Sequence, residues 1–227
     1  MKTIGLIGGT SWESTVDYYK LLNSGVRDRL GGMHSCRLIL SSVDFAEFTP
    51  LLQSRDWGGL GERLAAEARM LEQAGAQVLV LCTNTMHKVA DRIVAATKLP
   101  FLDIRDVTGR AIVAQGLKRP LLLGTRYTME DDFFTRHLVE HFALEPMVPA
   151  RADQLVLDRI IFDELVKGVV KPAAKAEVLR MIATAQGADC VIFGCTEIGM
   201  LLAPADIEFP VFDTLRLHVE AALAFAL

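Results

Sequence analysis

The stretch Gly75-Ala76-Gln77-Val78-Leu79-Val80-Leu81-Cys82-Thr83-Asn84 decides the fold. A short apolar run, bounded by glycine on one side and polar residues on the other, predicts a strand buried on both faces. The chain repeats it as Gly187-Ala188-Asp189-Cys190-Val191-Ile192-Phe193-Gly194-Cys195-Thr196-Glu197. Each copy is preceded by another strand that ends in Gly-Thr, at Gly9-Thr10 and at Gly124-Thr125. Thr10 lies 72 residues before Cys82, and Thr125 lies 70 before Cys195. Two strand ends with the same decoration and nearly the same spacing imply a duplicated α/β unit.

Working outward, short apolar runs predict strands over residues 3–7, 37–41, 77–81, 119–123, 189–193 and 209–212. Between them, helical periodicity covers 12–30, 60–74, 84–96, 173–185 and 214–226. Strands alternating with helices predict mostly parallel sheets with covering helices. A helix usually ends before a proline, so Leu99-Pro100-Phe101 marks the lobe boundary. The expected fold is two pseudo-symmetric α/β lobes, the second spanning residues 99–206. Sites in such sheets lie beyond the carboxyl ends of the strands. With the lobes facing each other, both Cys-Thr pairs would line the cleft between them.

Composition narrows the function. The 227 residues are 51% hydrophobic and 23% charged, enough to bury a sizeable core. Lys plus Arg is 24 against 28 Asp plus Glu, a net charge of -4, which gives nucleic-acid binding no support. No apolar run is long enough for a transmembrane helix, and Trp12 and Glu13 follow the first apolar run where a leader would carry its cleavage site. A cytoplasmic location with reduced thiols is expected. Cys36, Cys82, Cys190 and Cys195 form no C-x-x-C pair, so each is judged singly.

Most free cysteines are small buried hydrophobes, and Cys36 and Cys190 are read so. Cys82 and Cys195 are read otherwise, because Thr-Asn or Thr-Glu follows each and predicts a wet, turn-like strand end. A helix start just beyond would favour the thiolate. Two such thiols suit racemisation, in which the α-proton leaves one face of an amino acid and another arrives on the opposite face. Thr83, Asn84, Thr85 and Thr196 would hold the substrate carboxylate or steady the developing enolate.

Other patterns are weaker. His137-Leu138-Val139-Glu140-His141 is not H-E-x-x-H and has no evident third ligand, so no metal is expected and surface histidines are the reading. His87 follows Cys82 by five and is a candidate for poising that thiol. Glu197 reads as a helix-start carboxylate or as a proton relay. G-x-G-x-x-G, G-K-[ST] and G-x-S-x-G are all missing, which disfavours nucleotide binding and serine hydrolysis.

The motifs resemble the aspartate/glutamate racemase superfamily. Val80-Leu81-Cys82-Thr83-Asn84-Thr85-Met86-His87 is similar to its first cysteine motif and Val191-Ile192-Phe193-Gly194-Cys195-Thr196-Glu197-Ile198 to its second. The opening Ile4-Gly5-Leu6-Ile7-Gly8-Gly9-Thr10-Ser11-Trp12-Glu13-Ser14 fits as well. The resemblance implies a homodimer that uses neither pyridoxal phosphate nor a metal. It returns residues 207–227 to the first lobe, joining 1–98. It implies Cys82 and Cys195 as the acid/base pair, with Thr83, Asn84, Thr85, Thr125 and Thr196 lining the substrate and Gly9, Thr10 and Ser11 near them. Aspartate-specific members tend to carry an arginine after the second strand, where this chain has Ser42-Val43-Asp44-Phe45-Ala46-Glu47-Phe48. The match is therefore closer to the broad-specificity amino-acid racemases, with Gln53, Arg55 and Lys167 as the remaining polar candidates. Hydantoin racemase, maleate isomerase or decarboxylase chemistry and a non-catalytic small-molecule binder are the alternatives; decarboxylases of this kind commonly keep one cysteine.

Overall fold

The computed structural model describes residues 1–227. Its contacts divide the chain into two compact units, Met1–Ile104 with His218–Leu227, and Arg105–Leu217.

In the first unit, β1 (Ile4–Gly8), β2 (Leu38–Ser42), β3 (Val78–Leu81) and β4 (Phe101–Leu102) form one parallel sheet in the order β2-β1-β3-β4. Strands β1 and β3 are buried at every position, as strands covered on both faces must be. Ile4 pairs with Leu38 on one side and with Val78 on the other. The covering helices are α1 (Trp12–Leu30), α2 (Phe45–Gln53), α3 (Trp57–Gln73) and α4 (Ala90–Ala96). Helix α1 starts where the Ser11 hydroxyl accepts the Ser14 N–H, and it buries Tyr18, Leu22 and Val26 along one stripe. Helix α3 does the same with Leu60, Leu64, Ala68 and Leu71.

The second unit contains most of α5 (Ile104–Ala114), then β5 (Pro120–Gly124), α6 (Arg126–Glu130), α7 (Phe133–Phe142), α8 (Arg151–Asp163) and α9 (Pro172–Ala183). It continues with β6 (Cys190–Gly194), α10 (Ile198–Leu201) and β7 (Val211–Asp213), and α11 (Thr214–Ala226) begins within it. Its strands are parallel in the order β5-β6-β7. Met147 adds a parallel bridge to Leu121 on the outer side of β5. In chain order, then, the second, first, third and fourth strand segments lie side by side, which repeats β2-β1-β3-β4. Cys82 follows the third strand of its sheet and Cys195 the third of the other. The core around β5 and β6 is built from Leu121, Leu123, Val191 and Phe193 with Leu157, Ile161 and Val178 from the helices. No helix is long and apolar enough to cross a membrane.

Two points differ from the sequence reading. Pro100 does not end the unit: helix α4 already stops at Ala96, and the Pro100 carbonyl accepts the Leu79 N–H at 2.8 Å as the chain runs on into β4. The last strand stays in the second sheet: Phe212 pairs with Ile192, and the Val191 N–H donates to the Pro210 carbonyl at 2.9 Å. An unsatisfied strand edge is costly, so β7 completes β6, and only residues from His218 onward belong to the first unit.

Candidate active site

In the first unit the carboxyl ends of β1 and β3 are adjacent. Ile7 pairs with Leu81, and the Cys82 N–H donates to the Ile7 carbonyl at 2.9 Å, so Cys82 extends the ladder by one residue. Beside it the chain turns at Gly9, with φ +92°, where a Cβ would lie 2.1 Å from the Val43 carbonyl oxygen. Only glycine fits that turn. The Gly9 N–H donates to Thr15 Oγ1 at 2.9 Å, which ties the turn to α1. Gly9→Ala is expected to lower folding stability by at least about 2 kcal/mol, combining left-handed strain with a backbone clash. Chemical denaturation checks this, and an unchanged midpoint would contradict the turn as described. Next to Gly9, Thr10 is buried and its hydroxyl has no hydrogen-bond partner in the protein. A buried hydroxyl left open at a strand end is available to a ligand.

The turn after Cys82 is also tightly held. The Thr83 N–H donates to the Leu81 carbonyl at 2.8 Å, and the His87 N–H to the Asn84 carbonyl at 3.0 Å. Asn84 and Thr85 are buried, and residues Thr85–Val89 form a 3-10 turn before α4. The His87 ring does not aim its nitrogens at a thiol. Its Nε2 accepts the Ile104 N–H at 3.2 Å, which leaves the proton on Nδ1 for the Thr83 carbonyl at 2.7 Å.

In the second unit Gly124 and Gly194 pair across β5 and β6, and a Cβ on Gly194 would meet Leu122 Cδ1 at 2.5 Å. Thr125 caps α6 by accepting the Thr128 N–H at 3.3 Å. Beyond Gly194, the Cys195 Sγ–H donates to Glu197 Oε2 at 2.9 Å, and the Thr196 hydroxyl donates to the same oxygen at 2.8 Å. Glu197 is 3% exposed. One buried carboxylate therefore takes hydrogen bonds from both preceding side chains. The Glu197 side chain makes no helix-capping hydrogen bond, and α10 beyond it has only four residues. Residue order placed the three groups together; burial, invisible in sequence, gives the carboxylate its reach. Asp158, not singled out by sequence, accepts the Arg126 N–H at 2.7 Å and anchors the start of α6.

The thiols are not wet, and ordinary thiolates are not favoured. Cys82 is 1% exposed and Cys195 is 7% exposed. Burial pushes the Cys82 thiol far above its usual range. Burial raises Cys195 too, and the Glu197 charge and hydrogen bond add to it. Desolvation outweighs the short helical turns beyond the two residues. Burial also lifts Cys36 to about 11 and Cys190 to about 12, in keeping with packing roles.

The other candidates are less enclosed. Gln53 ends α2 on the surface, and Arg55 follows in a left-handed turn at φ 57°. Lys167 is exposed and lies 3.9 Å from Asp163. The Ser42–Phe48 segment offers no spare cation: Asp44 caps α2 and Glu47 is paired with Arg63 at 2.8 Å. His137 is not a free surface residue, since its Nε2 is 2.6 Å from Asp106 and its ring lies 4.4 Å from that of His141. No group of three or more His, Cys, Asp or Glu side chains converges as a metal would require.

Known proteins place this arrangement. The family model for Asp/Glu/hydantoin racemases matches residues 7–222. A Yersinia pestis protein described as a candidate Asp/Glu racemase is 46% identical, with a TM-score of 0.92 over 100% of this chain and 99% of that one. An aspartate racemase homologue from Pyrococcus horikoshii is 35% identical, with a TM-score of 0.86 over 100% and 99% of the two chains. Glutamate racemase from Francisella tularensis, in complex with D-glutamate, shares the fold at 13% identity and a TM-score of 0.70, over 99% of this chain and 80% of that one. With the matched region running from the first strand into the last helix, the chain belongs to the Asp/Glu/hydantoin racemase family.

Proposed function

We propose that the protein racemises a small amino acid without pyridoxal phosphate or a metal, Cys82 and Cys195 exchanging α-protons on opposite faces of the substrate. The observation that carries this reading is the buried thiol at the same strand end of two sheets with the same topology. In each direction one sulfur removes the α-proton as thiolate and the other S–H delivers a proton to the opposite face. Glu197 takes the Cys195 proton when that sulfur serves as base. The high thiol affinity for protons keeps both groups protonated until substrate arrives; the substrate ammonium supplies the positive charge that favours ionisation, and when Cys82 is the base its proton passes to bulk water. Thr10, with its open hydroxyl, together with Asn84, Thr85, Thr125 and Thr196, binds the carboxylate and steadies the enolate oxygen.

The preferred side chain is neutral on this reading, because Ser42–Phe48 supplies carboxylates already paired or capping and no arginine to clamp a second carboxylate. The likeness to an aspartate racemase homologue supports the competing reading, an acidic substrate. Incubation with L- and D-amino acids in deuterated water, followed by NMR, separates the two. Neutral substrates such as homoserine or methionine are expected to exchange with inversion faster than aspartate. Exchange confined to aspartate or glutamate would overturn the neutral preference. No exchange with any amino acid would remove the racemase reading and leave hydantoin or maleate isomerisation, or ligand binding.

A further inference from the structure

We propose that His87 is a positioning residue for Cys82, acting through a buried His87–His218–Tyr18 cluster that ties the Cys82 turn to both points where the chain passes between the two units. The inference rests on the reading of Cys82 as an acid/base group. The cluster lies wholly in the first unit, and all three side chains are at most 1% exposed. Its contacts form a directed chain. The Tyr18 hydroxyl donates to His218 Nδ1 at 2.9 Å, and His218 Nε2–H donates to the Leu102 carbonyl at 2.7 Å. Two residues on, the Ile104 N–H donates to His87 Nε2, and His87 Nδ1–H donates to the Thr83 carbonyl beside Cys82. The two imidazoles meet edge to face, with centroids 5.9 Å apart.

The placement is what makes this more than core filling. Ile104 is the last residue of the first segment of this unit, and His218 is the first residue of the returning segment. The points where the chain leaves and re-enters the unit are therefore both held at one cluster, and the far end of that cluster is the carbonyl of Thr83, the residue after the candidate base. Two imidazoles and a phenol are costly to bury, whereas leucine or phenylalanine would fill the space without that cost. What the polar groups add is direction: each imidazole fixes a particular backbone carbonyl or N–H, and the Tyr18 hydroxyl orients His218. Burial holds His218 neutral, with its pKa down to about 4, so the donor and acceptor roles persist at physiological pH.

The variants His87→Leu, His87→Asn and Tyr18→Phe test this in the full chain. Asparagine places an amide nitrogen near the Nδ1 position and keeps the bond to Thr83, whereas leucine fills the space with neither bond. His87→Leu is expected to lower kcat at least about tenfold with KM within about threefold, and His87→Asn to recover most of the loss. A readout independent of racemisation is alkylation of each cysteine by iodoacetamide, resolved by mass spectrometry. Cys82 labelling is expected to accelerate several-fold in His87→Leu and more mildly in Tyr18→Phe, with Cys195 unchanged. Equal change at the two thiols, or no change at Cys82 in folded variants, would overturn the proposal. If His87→Leu does not fold, Tyr18→Phe measured against His87→Asn gives the same selective contrast. If the wild type racemises nothing, the labelling contrast still decides the positioning role.

Discussion

Replacing Cys82 with alanine is expected to cut racemisation about 10³–10⁴-fold while one enantiomer goes on exchanging its α-proton with solvent. With Cys195 alone, the enantiomer whose α-hydrogen faces that sulfur is still deprotonated. The proton returns from the same sulfur after exchange with deuterium, so configuration is retained. The mirror enantiomer has no base and does not exchange. Cys195→Ala is expected to give the reverse pattern. The two variants together form a stringent test, because general damage to the fold would slow exchange of both enantiomers alike. L and D forms have equal energy, so kcat/KM for racemisation must fall equally in both directions in each variant, and only exchange can separate the faces. Inversion at undiminished rate in either variant would end the two-thiol mechanism.

The duplicated architecture was legible because the chemistry that builds it is local. Runs such as Val78-Leu79-Val80-Leu81 must be buried, and the polar residues after them must turn. The strands nevertheless run one residue further than the apolar runs, through Gly8, Gly124 and Gly194. Glycine reads as a breaker, yet Gly8 pairs with Ser42 and Gly124 with Gly194, because the ladder uses backbone groups alone. Helix α2 is hidden in the sequence by Pro50 inside it, and the single bridge at Met147 leaves no periodic trace. The ionisation of the thiols is not legible in the sequence for a deeper reason. A pKa depends on what the rest of the fold packs over the group, and burial of Cys82 and Cys195 reverses the sign that strand-end geometry alone would give. The residues that follow Cys82 and Cys195 single out both sulfurs in the sequence, whereas the hydrogen bond of Cys195 to the Glu197 carboxylate at 2.9 Å is visible only in the fold.

Glu197→Gln is expected to lower kcat/KM about 10²-fold at neutral pH, equally in both directions. The amide can still accept the Cys195 and Thr196 hydrogen bonds, so the geometry survives, but it cannot take the proton. Its effect on the thiol runs the opposite way. Removing the negative charge takes away one of the influences that hold the Cys195 thiol high, so the pKa falls from its wild-type position while burial keeps it above the ordinary value. The variant therefore gains thiolate as pH rises, without needing an internal acceptor, and its deficit against the wild type is expected to narrow toward alkaline pH. A simple packing role for Glu197 predicts a deficit that is constant across pH. Full activity in the glutamine variant would remove Glu197 from the proton path and leave Cys195 to ionise with the substrate ammonium alone. A deficit that narrows with pH places the proton on Glu197 whenever Cys195 acts as base, and it makes the two halves of the duplicated fold chemically unequal. Cys82 has threonine and asparagine after it and no carboxylate at the matching position. The enantiomer deprotonated by Cys195 should then carry the larger pH dependence in the exchange experiment.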